Sequence, residues 1–447
     1  MKGLTVMTIA LATMLGLSQQ ACAVPGPNNP PSVRLKGSLN CPYIPSRGGT
    51  VYLQVAVETG AIARRDQRQL NIAIVLDRSG SMGAEGKIEN AKAALRAVID
   101  QLRSDDILSI VIYDDEIDVL RPAARVGRKE DVRRLVDEIT PRGWTNLGGG
   151  MVEGYRQVRR YASPTMVNRV LLLSDGLANR GITDPAELAR IVQRQREAGI
   201  SISTVGVGLE YNENLMLALS EHGGGNYYFL ESARNLASVL RNEFSMATVV
   251  LAQDARVELQ LGKHVRVIDV IGCAYRSEGD RVKLDLGDLY GGEHREWTVV
   301  LEVPPGEGVL EVVRGYLRYT HPRELTLGER CDNFSNTIRY TEQTAMIEEH
   351  RDKELQAKGD IARSTRQVER ALKALDEGRR DEAMNELAAA RQAIAASPAV
   401  AGSGASADML RAQDEKIGGY AESLKDQDSV KAKKEVQYDN YRTQKRK

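Results

Sequence analysis

Ile72-Ala73-Ile74-Val75-Leu76-Asp77-Arg78-Ser79-Gly80-Ser81 is the stretch that decides how this chain folds. Its first half is a continuous apolar run, the pattern of a strand buried inside a parallel sheet. Its second half places a carboxylate and two hydroxyls at the end of that strand, just before the glycines of a loop that leads into a helix. Hard oxygen donors crowded there suit a small divalent cation that prefers oxygen and keeps part of its water, as Mg²⁺ does. Such an ion needs further oxygens from other loops.

Two segments supply them. Thr145 lies in Gly143-Trp144-Thr145-Asn146-Leu147-Gly148, a turn entering a helix, and Asp175 lies in Ser174-Asp175-Gly176, directly after the apolar strand 170–173. Loops at the carboxyl ends of neighbouring strands in an open α/β sheet converge on one crevice, so the three loops are expected to share one ion. The plainer reading is that Asp77 and Asp175 cap the helices that follow and that the serines form turns.

On these residues the chain resembles a von Willebrand factor type A domain of the kind found in bacterial exported proteins. It shows the complete metal-ion-dependent adhesion site: Asp-x-Ser-x-Ser, then Thr, then Asp. The resemblance implies that Ser79, Ser81 and Thr145 offer hydroxyls to the metal directly or through water, and that Asp77 and Asp175 act largely through water and hydrogen bonds. It implies Mg²⁺ as cofactor, with Mn²⁺ or Ca²⁺ as substitutes. One coordination position is left for an Asp or Glu carboxylate on a protein partner. Specificity is expected from the surface around the ion, where Arg78, Trp144, Asn179 and Arg180 are the candidates, although Trp144 also suits a core position.

The rest of the chain is organised around this unit. Apolar residues at helical spacing over 87–102, a strand over 107–113, and helices over 130–139, 146–161, 185–198 and 213–221 alternate with strands over 169–173, 202–207 and 227–230. That alternation predicts a doubly wound, mostly parallel α/β domain over 68–246, Rossmann-like in its layers. On both sides lies period-two alternation: Val51, Leu53, Val55 and Val57 before it, and 257–261, 282–286, 299–303 and 309–319 after it. Residues 32–67 and 247–322 are therefore expected to form one discontinuous β-sandwich, into which the α/β domain is inserted. A helical hairpin broken near Gly378 is expected over 336–396. A linker, one polar helix and a solvated basic tail are expected over 397–447.

The 61 basic residues balance 61 acidic ones, so the charge total points to no nucleic-acid partner. Residues 1–23 read as a signal peptide, with Lys2, an apolar stretch over 4–17 and Ala21-Cys22-Ala23 at the cleavage site. The mature chain is then exported, periplasmic or secreted, with no transmembrane segment; a lipoprotein anchored at Cys22 is the alternative. Cys41, Cys273 and Cys331 fit no zinc or redox motif, and one disulfide or three thiols both suit them. Asp114-Asp115-Glu116 reads as a solvated turn. No HExxH, Walker A loop or GxSxG elbow is present, so the expectation is a binding protein of the cell envelope, not an enzyme. The second reading is an accessory or regulatory subunit of an envelope transport or channel-like assembly.

Overall fold

The computed structural model describes residues 33–60, 68–247, 250–320, 329–400, 404–425 and 430–445; the expected signal segment and Cys22 lie outside them. Strands β1 (Val33–Leu39), β2 (Tyr43–Ile44) and β3 (Gly49–Thr59) come first. β1 and β3 pair antiparallel, and Val51, Leu53, Val55 and Val57 of β3 turn one buried face toward strands that arrive much later in the chain.

The α/β unit follows. Its strands are β4 (Leu70–Asp77), β5 (Ile107–Tyr113), β6 (Ile117–Arg125), β7 (Val167–Ser174), β8 (Ile200–Val207) and β9 (Gly224–Leu230). Its helices are α1 (Lys87–Gln101), α2 (Lys129–Asp137), α3 (Leu147–Arg159), α4 (Pro185–Glu197), α5 (Glu213–Gly223) and α6 (Leu236–Ala247). The sheet runs β6-β5-β4-β7-β8-β9, with only β6 antiparallel to its neighbour. Successive strand residues face opposite ways. Ile72, Ile74 and Leu76 therefore meet α1 and α6 in one core, while Ala73 and Val75 meet α3, α4 and α5 in another. This is why β4 is apolar without alternation. At Gly154 of α3 an added Cβ would lie 2.4 Å from Val75 Cγ2; glycine there lets the helix sit close on the central strand.

β6 was not expected. Asp118, Arg121 and Pro122 break its apolar pattern, and an edge strand tolerates both charge and proline because one side needs no ladder.

Strands β10 (Val250–Leu261), β11 (Arg266–Ile271), β12 (Tyr275–Glu278), β13 (Arg281–Tyr290), β14 (His294–Val303), β15 (Val309–Thr320) and β16 (Glu329–Tyr340) complete two further sheets. Their orders are β1-β3-β14-β11 and β12-β13-β10-β15-β16-β2. Leu53, Val55, Val257, Leu259, Val299 and Leu301 share the core between them. β16 corrects the expected start of the helical region at 336, because its strand runs on to Tyr340. Polar residues fill most of it, and its anchor is Phe334, whose ring fills the space beside Gly37 and Gly315, where an added Cβ would come within 2.1 Å and 2.3 Å of it.

The remaining helices are α7 (Thr344–Glu349), α8 (Lys353–Asp376), α9 (Arg380–Ala395), α10 (Ala405–Ser423) and α11 (Val430–Lys445). Gly378, at φ 74°, makes the turn between α8 and α9. Two helices, not one, follow the linker, and α11 corrects the expectation of a solvated end as far as Lys445, while residues 446–447 of the expected basic tail lie outside the described residues. Tyr438 and Tyr441 pack edge-on against Tyr227 at 5.8 Å between ring centroids. The buried Lys434 pairs with Glu213 and donates to the Tyr211 carbonyl at 2.6 Å. α11 thus covers the edge strand β9, which explains aromatic residues in an otherwise polar helix. Cys41 and Cys273 are free thiols while Cys331 is in a disulfide, so the expectation of three thiols is corrected and no disulfide joins Cys41 to Cys273. Among the described residues no helix is long and apolar enough to cross a membrane.

Candidate metal centre

β4 and β7 lie side by side and parallel, so their carboxyl ends bring Asp77 and Ser174-Asp175 together at one edge of the sheet. Both aspartates are completely buried, at 0% exposure. The Ser79 N–H donates to Asp77 Oδ1 at 2.8 Å, and the Ser174 hydroxyl donates to Asp77 Oδ2 at 2.7 Å. Ser81 Oγ donates to Asp175 Oδ1 at 2.7 Å and lies 3.1 Å from Ser79 Oγ.

Thr145 arrives from the loop before α3. Its N–H donates to Asn179 Oδ1 at 3.0 Å, and the Asn179 N–H donates back to the Thr145 carbonyl at 3.2 Å. This reciprocal pair clips the loop carrying Asp175 to the one carrying Thr145. A Cβ on Gly176 would stand 3.1 Å from Thr145 Oγ1 and 3.8 Å from Ser81 Oγ; glycine there keeps the Thr145 hydroxyl uncrowded.

Burial lifts the Asp77 carboxyl to about 6, against the Ser79 and Ser174 hydrogen bonds, with the Asp175 charge adding to the rise. Two buried carboxylates face one resident cation, Lys87, whose Nζ lies 2.8 Å from Asp175 Oδ2. The cluster is therefore short of positive charge by one unit if both carboxyls ionise, and three hydroxyls stand ready as neutral oxygen donors. That donor set fits a small divalent cation. Among the described residues no group of three or more His, Cys, Asp or Glu side chains is placed to hold a metal, so hydroxyls are what distinguishes this centre.

Lys87 is the site residue that the sequence reading missed. It is the first residue of α1, and a cation in the first turn of a helix opposes the macrodipole. A nearby carboxylate offsets that opposition, and the position of the lysine was the one available signal for it.

The expected partner-facing residues separate. Trp144 is exposed, at 59%, and not in the core. Arg180 stacks over its ring at 5.9 Å and pairs with Asp115 at 3.8 Å. Asn179 serves as the clip just described. Arg78 corrects the expectation: it is buried and pairs with Asp114 at 2.9 Å and with Asp118, so it faces inward to the base of the loops. Asp114 is likewise no solvated turn residue. Burial pushes its carboxyl up, but the Glu116 N–H and the guanidiniums of Arg142 and Arg78 outweigh this and hold it below the usual range.

Residues 71–242 match the family model of the von Willebrand factor type A domain. The chain is 29% identical over 231 residues to the uncharacterized protein YfbK of Escherichia coli (strain K12), covering 50% of this chain and 40% of that protein. It is 27% identical over 176 residues to inter-alpha-trypsin inhibitor heavy chain H3 of Mesocricetus auratus, covering 37% of this chain and 20% of that one. The chain thus spans less than half of the length of these two relatives. Among solved structures, von Willebrand factor type A from Catenulispora acidiphila superposes with a TM-score of 0.71 at 17% identity, covering 93% of this chain and 97% of that one. The ArnB paralog VWA2 from Sulfolobus acidocaldarius does so with a TM-score of 0.57 at 17% identity, covering 92% and 98%. The α/β unit has the von Willebrand factor type A fold, and the likeness in fold extends over most of the chain.

Proposed function

We propose that this chain binds a protein partner through a divalent cation, Mg²⁺ in the first instance, held by Ser79, Ser81 and Thr145 with Asp77 and Asp175 around them. The observation that carries the reading is the pair of fully buried aspartates set among the hydroxyls of Ser79, Ser81 and Ser174, with Thr145 Oγ1 close by across Gly176. A bound ion held mainly by neutral hydroxyls would supply a strong positive pole for an anionic ligand. Asp77 and Asp175 orient the serines and balance charge from behind. The anchoring group on the partner is then an Asp or Glu carboxylate. The leader-like segment over 1–23 supports action in the cell envelope or outside the cell. A binding role is favoured over a catalytic one, because both carboxylates are already engaged by Ser79, Ser174, Ser81 and Lys87.

Calorimetric titration of Mg²⁺ and Mn²⁺ into the purified chain tests this. Saturable one-site binding is expected, lost in an Asp77→Ala, Ser79→Ala variant whose circular dichroism is unchanged. Equal heats from both proteins would end the metal reading.

A further inference from the structure

Resting on that reading, the loops around the centre indicate what kind of carboxylate it takes. Trp144, Leu177 and Leu209 are exposed at 59%, 56% and 36%, and they are three of the eight large apolar side chains so exposed among the described residues. Single exposed apolar residues are ordinary; several around one polar site are not. Each is tied closely to the centre. Trp144 precedes Thr145, and Leu177 follows Asp175 by two positions. Leu209 follows Gly208, where an added Cβ would lie 3.3 Å from Lys87 Nζ, the group bonded to Asp175. The Asn179–Thr145 clip holds the first two loops together, and Arg180 steadies the Trp144 ring.

The charges nearby narrow the partner further. Arg180 and Arg142 are committed to Asp115, Asp114 and Glu116. Glu210 is exposed beside Leu209. With those arginines neutralised by carboxylates and Glu210 added, the surroundings offer no surplus of positive charge to hold a run of acidic groups or an anionic bilayer, whereas an ion at the centre would attract one carboxylate.

We propose that Trp144, Leu177 and Leu209 form an apolar rim that reads the neighbours of the anchoring residue, so that the ligand is a protein segment with one Asp or Glu flanked by large apolar side chains.

The test uses the full chain and four immobilised peptide probes: a central Asp flanked by leucines, by serines or by glutamates, and a central Asn flanked by leucines. Binding is measured in Mg²⁺ and in chelator. The leucine-flanked Asp peptide is expected to bind about tenfold more tightly than the serine-flanked one. That preference should vanish in a Trp144→Ser, Leu177→Ser, Leu209→Ser variant whose Mg²⁺ titration is unchanged. Equal binding of the two, stronger binding of the glutamate-flanked peptide, a preference that survives in the variant, or no capture of any peptide while Mg²⁺ binds would each overturn the rim. So would preferential capture of phosphatidylserine vesicles. Loss of the Asp-over-Asn distinction together with absent Mg²⁺ heat would instead bring down the metal reading beneath it.

Discussion

Strand β7 carries a buried ionic cluster near each end, and the two are built differently. Near its amino end Arg169 pairs with Glu243 at 2.6 Å and bonds to the Tyr290 hydroxyl, joining β7, α6 and β13. Glu243 also accepts from Asn226 at 2.9 Å and from Tyr228 at 2.6 Å, as well as from Ser203. The acid and the base cancel, and their remaining polar atoms have partners. Just beyond its carboxyl end, Asp175 with Asp77 outnumbers Lys87, and the hydroxyls of Ser79 and Ser81 lie beside the two carboxylates, with Thr145 Oγ1 close to Gly176. A cluster that satisfies itself holds structure together; one left short of positive charge has room for an ion.

The largest effect is expected at the self-satisfied end. Arg169→Met strands Glu243 in the core and should cost about 3–5 kcal/mol in urea unfolding, with the Mg²⁺ titration of the folded protein unchanged. A cost near zero would erase the contrast between the two ends.

Lys87→Met should come next. It leaves Asp175 without its cation, so the chelated protein should lose about 3 kcal/mol. Mg²⁺ should restore more of the melting temperature than it adds to the wild type, since the ion replaces missing charge. Equal Mg²⁺ shifts in both proteins would show that Lys87 and the ion do not share Asp175.

Ser174→Ala removes the hydroxyl that orients Asp77, and it should weaken Mg²⁺ by about tenfold or more with little change in fold. Gly176→Ala should weaken it too, by crowding Thr145. Calorimetry of both variants sharpens which atoms bound the ion.

The smallest effect concerns pH. Burial alone would raise Glu243, but Arg169, Ser203, Tyr228 and Asn226 outweigh it and hold the carboxyl below the usual range. The folded state therefore binds this proton less readily than the unfolded chain. Its stabilisation is complete above the unfolded value of about 4.3 and is lost as pH falls through the folded value. Unfolding measured across this acid range should show a shallower loss in Glu243→Gln than in the wild type; parallel curves would remove Glu243 from the acid response.

The central strands were readable because burial on both faces demands unbroken apolar runs, as 72–76 and 170–173 show. β6 and β16 were not, since edge and near-edge strands follow weaker rules: proline and charge in one, polar residues around a single phenylalanine in the other. The placement of α11 was hidden for a related reason. Its tyrosines and lysine read as a solvated face until Tyr211, Tyr227 and Glu213 were there to receive them.

By itself the sequence determined the order of the layers and the Asp, Ser, Ser, Thr and Asp that the carboxyl ends of β4 and β7 and the turn before α3 bring together, because periodicity and strand-end chemistry are local. Only the tertiary structure decided that Arg78 turns inward to Asp114, that Trp144 turns outward, that Lys87 reaches Asp175, and that Arg169 spends its charge on Glu243. Those outcomes depend on which residues, distant in the chain, meet in low dielectric. A charged side chain is read there by its partner and not by its neighbours in sequence.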